Sequence, residues 1–316
     1  MHRKLELEAL EAELAALTAL QDGSKDFDDP VGQIQYIQKR HELEEELAAL
    51  RSMDIHQASI ALYFGGAPVF GSRGIAADFA GKVIEHFQDI ISKRFARTEL
   101  GGLGERGRVP LKDMTTLMVT GVTQGSFGFL LDELTDQTQM FDTTLKEMVG
   151  KVVTLIESSG SESEDIFEKA AEDLDPRSLS ALRDFFLDLD SNAATVRLVD
   201  DTRDLFLNEA AVHRARVRTE ATQIDEDKVE ISGQLIGFLP EHRRFELQPI
   251  DGLGETIYGS ATKEATEQFN STMQKGKPAL GKRCSIIVLQ RTVSPRNRPP
   301  RLVYRLLEFT RIGENM

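Results

Sequence analysis

Residues 228–316 limit the fold more than any other segment. Three runs, KVEISGQLIGFL, RRFELQPI and ETIYGS, alternate apolar and polar residues between turn signals, the pattern of half-buried strands. A helical run over 261–273 follows, then two long strand-like runs, RCSIIVLQRTV and RLVYRLLEFTRI, joined by SPRNRPP. Five strands with one helix resemble a small, partly open barrel, SH3-like or OB-like in architecture. The same segment carries 14 Lys and Arg against 9 Asp and Glu, about +5. The whole chain stands at -14, so the part before Lys228 holds about -19. A basic module is attached to an acidic body.

The first 52 residues predict an antiparallel helical hairpin. Leu7, Leu10, Leu14 and Leu17 recur three and four apart among Ala and Glu, which favour helix. Asp29 and Pro30 suit the N-cap and first position of a second helix, along which Leu43, Leu47 and Leu50 continue an apolar seam. Each stripe spans few turns and cannot stand alone. These seven leucines must pack on the body or on a second copy of the chain, and the self-association reading makes a homo-oligomer.

Between them, 53–224 reads as a ββαββ unit followed by helices. Strands are expected at 59–64 and around Val69 and Phe70. A helix at 76–97 carries Phe79, Val83, Phe87, Ile90 and Ile91 on one face, and a hairpin spans 115–120 and 126–131. Helices follow at 140–157, from a Ser161/Glu164 capping box, and from the Asp175-Pro176 pair. A small hairpin, ATVRLVD and DLFLN, precedes a helix at 208–222. The polar stretch TQIDED is the candidate boundary, dividing the chain into 1–52, 53–224 and 225–316. The expected class is α+β.

Motifs for chemistry fail on context. Gly102, Gly104 and Gly107 make G-x-G-x-x-G, but a helix precedes them where a dinucleotide site needs a strand. GKPALGKR lacks the Ser or Thr of a P-loop and leads into a strand-like run. Asp188, Asp190 and Asn192 open like a calcium loop, but Ala193 and Val199 stand where Gly and Glu are needed. No two histidines are four apart, and the single Cys284 rules out an intrachain disulfide. No catalytic residue, metal or cofactor is expected, which leaves an enzyme only if distant segments assemble a site. The charged N-terminus and the lack of a long apolar run point to a cytoplasmic protein with no membrane partner.

Arginines concentrate on the last two strand-like runs and the loop between them: Arg291, Arg296, Arg298, Arg301 and Arg305, with Tyr304 as a stacking face. Three readings are open to them: a solvated edge or a face docking on the acidic body, contact with nucleic acid, or contact with an acidic protein partner. The functional expectation is a non-catalytic binding or assembly subunit. Its hairpin oligomerises and its barrel engages a partner, with nucleic-acid binding as the alternative.

Overall fold

Two helices open the computed structural model, which describes residues 3–23, 30–101, 103–104, 106–123, 127–135, 141–250, 255–275, 279–294 and 299–312. They are α1 (Arg3–Gly23) and α2 (Pro30–Ser52). Arg3 Nε donates to the Leu50 carbonyl at 3.0 Å, so the start of α1 lies against the end of α2. Leu10, Leu43 and Leu47 are buried between them, flanked by Leu7, Leu14, Leu17 and Leu50. The leucine seams are thus first used within the chain. Leu5 reaches further and packs on Ala61, Tyr63, Leu130 and Val199 of the body. Asp29 lies outside the described residues.

The body is an antiparallel sheet in the order β2-β3-β1-β4-β5. Its strands are β1 (Ser59–Gly66), β2 (Met118–Thr123), β3 (Phe127–Asp132), β4 (Ala194–Val199) and β5 (Asp204–Leu207). One face is covered by α3 (Ala77–Leu100), α4 (Thr144–Gly160), α5 (Glu164–Ala171), α6 (Pro176–Ser191) and α7 (Glu209–Ala221). Ile60, Leu62 and Phe64 of β1 meet Val83, Phe87 and Ile90 of α3 and Phe185 and Phe186 of α6 in this core. The expected strand at Val69 and Phe70 does not form; a single bridge, Val69 to Ile75, takes its place. Phe70 is exposed and its amide closes a tight turn on the Gly74 carbonyl, so the chain has reversed before a ladder can grow. The expected capping box is also absent: the N-cap of α5 is Ser163, whose side chain makes no capping hydrogen bond and whose amide donates to Ser161 Oγ. Gly66 turns β1 toward β4 at φ +87, where any Cβ would meet the Ala193 carbonyl oxygen at 2.1 Å.

The last strands close a barrel, β10-β8-β7-β6-β9, with β9 and β10 paired across the closure. They are β6 (Gln223–Leu239), β7 (Arg244–Pro249), β8 (Ile257–Ala261), β9 (Arg283–Ser294) and β10 (Arg301–Ile312), with α8 (Lys263–Gln274) between β8 and β9. Leu235, Phe245, Leu247, Ile286, Val288 and Leu306 fill it, and Phe238 stacks on Phe269 of α8 at 4.2 Å. Cys284 is buried there, and burial pushes its thiol up to about 11 against a smaller opposing pull from the Leu235 backbone. The polar stretch read as a boundary is not a linker. Its residues from Gln223 onward begin β6, exposing Asp225 and Asp227 while Ile224 turns inward to join Val293 in the body's core.

Candidate functional site

The barrel meets the body along the outer faces of β6, β9 and β10. At one end the contact is apolar: Ile224, Val293 and Val303 join the body's core. Its middle is ionic. Arg97 Nη1 stands 3.2 Å from Asp175 and 3.1 Å from Glu226, so one guanidinium of α3 joins the α6 cap to the barrel. Arg291 Nη1 donates to the carbonyls of Glu172 and Leu174 at 2.8 and 2.7 Å, and its Nε lies 3.6 Å from Glu226. Arg94 pairs with Asp173 at 2.9 Å. Arg301 reaches Glu172 at 2.9 Å and Glu168 at 3.3 Å at the rim.

Each of these groups is placed by ordinary local structure. Asp175 caps α6, accepting from the amides of Arg177 and Ser178 and from Ser178 Oγ. It is 1% exposed. Burial by itself would raise its pKa, but the charge of Arg97 and the Ser178 hydrogen bonds outweigh burial and hold it below its ordinary 3.8. Asp173 stands at the edge of this cluster with its side chain 73% exposed; desolvation there opposes ionisation, and Arg94, Arg97 and Arg291 overcome it. Burial, reinforced by Arg97, pushes Arg291 and Arg305 down to about 10. Guanidiniums at that value keep their charge at neutral pH. The middle of the seam is therefore a permanent ionic clamp and not a proton-transfer device.

The sequence-predicted residues part company here. Arg291 is 1% exposed and tied to body carbonyls, which takes it off any open face. Arg305 sits half-buried in the same seam, and Arg301 is spent on α5 acids. Tyr304 packs against the barrel core instead of presenting a stacking face. Arg296 and Arg298 lie outside the described residues. The residues that were missed are Arg94, Arg97, Asp175 and Glu226. A signal for the first two existed: Val83, Phe87, Ile90, Arg94 and Arg97 continue one stripe at spacings of four and three. Arginines that continue an apolar stripe are buried arginines in need of acids.

At its far end the seam opens into a cavity of about 420 Å³ between the end of α3 and the start of α8. Leu100, Leu289 and Leu307 give it apolar walls, and Glu99, Lys228 and Lys263 give it charge. A second cleft of about 430 Å³ lies beside α4. Five of its charged residues are engaged in pairs: Asp142 with His56 at 3.0 Å, Lys146 with Asp142 and Asp201, and Arg203 with Asp200 at 3.1 Å. Hydrogen bonds from His56 and then Lys146 hold Asp142 below its ordinary pKa. Among the described residues no cluster of His, Cys, Asp or Glu is arranged to hold a metal ion, and no helix is long and apolar enough to cross a membrane. Comparison with protein-family models, with curated proteins and with solved structures finds no match to this chain.

Proposed function

We propose that the protein is a non-catalytic binding and assembly subunit whose helix pair joins copies of the chain. One observation carries this reading. Among its described residues the pair buries only Leu10, Leu43 and Leu47 of its own, while Leu20, Ile34 and Ile37, toward the ends remote from the body, stay 61%, 65% and 55% exposed. An open groove lined by Leu14, Ala15, Ala19 and Leu47 runs along the same pair. Two helices with so small a core gain stability from a second pair. Changing Ile34 and Ile37 together to Glu touches exposed positions, so the fold is kept. Light scattering should then report a lower mass than for the unchanged chain. An equal mass overturns the reading.

A second reading, nucleic-acid binding, is supported from a different surface than the arginine-rich hairpin. The closed five-stranded barrel has a helix between its third and fourth strands and a parallel contact between its third and fifth. This favours an OB-like over an SH3-like layout. OB barrels bind oligonucleotides on the face of their second and third strands. Here those strands are β7 and β8, where Tyr258 is 72% exposed beside Arg244 and Glu246. Tyr258→Ala should weaken single-stranded DNA binding, read by fluorescence anisotropy, by about 1–3 kcal/mol, the worth of one stacked base. No binding at low salt, or equal binding by the variant, removes this reading.

A further inference from the structure

β2 ends its sheet, and among the described residues nothing pairs with its outer edge. An open edge is a template for another strand, and folded proteins blunt theirs with charge, proline or short length. The opposite edge is blunted in this way. β5 has four residues, and its Asp204 is held by Arg197. β2 has six residues, MVTGVT, with neither a charge nor a proline. Met118, Val119 and Val122 on it are 49%, 52% and 55% exposed.

A bulge decides where these side chains stand. The register against β3 slips between Val119 and Gly121, so Val119 is opposite Leu131 and Val122 is opposite Phe129. Leu131 is buried in the body's core, and Phe129 packs against that core. Both valines therefore share the helix-covered face, at a margin the helices leave open. The bulge that would ordinarily protect an edge here lines up two apolar residues along it.

We propose that a second copy of this chain covers the edge, β2 pairing antiparallel with its counterpart about a two-fold axis between Thr120 and Gly121. The sequence is self-complementary in that register alone. Val119 faces Val122, Met118 faces Thr123 and Thr120 faces Gly121, each pair occurring twice. An axis normal to the sheet keeps each face on its own side. The four valines then meet on the helix side of the sheet, at the margin beside the layer, and cover one another's exposed faces, as β-branched cross-strand pairs favour. A register centred on Gly121 sets Val119 against Thr123, and one centred on Thr120 sets Val119 against Gly121; both lose the valine pairs. The contact is isologous, as a two-fold interface must be. It is separate from the helix pair, so a chain using both surfaces assembles beyond a dimer.

Sedimentation velocity on the full chain, over a series of concentrations, tests this. Val122→Lys places a charge on an exposed edge position and should halve the assembly mass. Ile34→Glu with Ile37→Glu should halve it separately if the helix pair also associates, and all three changes together should give monomer. If only the β2 contact exists, the chain is a dimer that Val122→Lys converts to monomer and the helix changes leave intact. Hydrogen exchange gives a readout that needs no variant. Amides of residues 118–123 should lose protection on dilution, in step with the mass. A mass unchanged in folded Val122→Lys, or protection of 118–123 that does not depend on concentration, overturns the proposal.

Discussion

Replacing Arg97 with Ala should cost the chain about 3–5 kcal/mol of stability, the usual loss when one partner of a buried ion pair is removed. Arg97 is 1% exposed and holds two carboxylates, Asp175 and Glu226, that come from body and barrel respectively. Without it Asp175 keeps its burial and loses its counter-charge, and Glu226 is left with Arg291 Nε at 3.6 Å. Arg291 does not replace Arg97 at Asp175, because its Nη1 is held by the carbonyls of Glu172 and Leu174 and its Nε faces Glu226. Urea unfolding at pH 7 measures the loss. Arg301→Ala is the internal comparison. Its side chain is 43% exposed and its partner Glu172 is 38% exposed, with only Glu168 buried, so the change should cost less than Arg97→Ala. Equal losses for the two variants would mean that the seam's middle contributes no more than its edge.

Asp175→Asn should flatten the acid limb of the stability curve and lower stability at neutral pH. Asn retains an oxygen to accept from the amides of Arg177 and Ser178, so the α6 cap survives, while the charge and the acceptor that Oδ2 offers Arg97 and Ser178 Oγ are removed. The cost at pH 7 should approach that of Arg97→Ala, because Arg97 loses a buried counter-ion. The pH dependence has a definite sign. Asp173 and Asp175 both titrate below their ordinary 3.8 when folded. Their stabilisation is complete above the unfolded value and is lost as pH falls through the folded ones. Arg291 and Arg305, at about 10, hold their protons in both states in acid and add no slope there. Chemical denaturation between pH 2 and pH 7 should show a steep fall at the acid end for the parent chain and a shallower one for the variant. Parallel curves would remove Asp175 as a source of the acid sensitivity.

Wherever a segment's pattern answered to its own periodicity, the sequence determined the element. The 3-4 stripe of α3 and the Asp175-Pro176 start of α6 stand where the residues alone place them. So do the long strands β9 and β10. In each the apolar spacing matches the local repeat, and burial of that face needs no knowledge of the partner. Val69 and Phe70 failed because a strand exists only through a neighbour, and the tight turn at Gly74 leaves none within reach. TQIDED lies where α7 ends and β6 begins; its alternation is that of a strand, and its acids belong to a packed seam only once Arg97 and Arg291 are brought against Glu226. The basic excess of the last ninety or so residues was legible by counting, but what it faces was not. Charge adds along a chain, whereas the partner of a charge is set by distance, and Arg97 and Glu226 are 129 residues apart in sequence and 3.1 Å apart in space. Composition and periodicity therefore determined the helices, most strands and the acidic–basic division. Tertiary structure alone decided that the arginines at the centre of the basic hairpin close the molecule on itself, because only folding brings them within Coulomb range of their acids and strips away the water that would otherwise screen them.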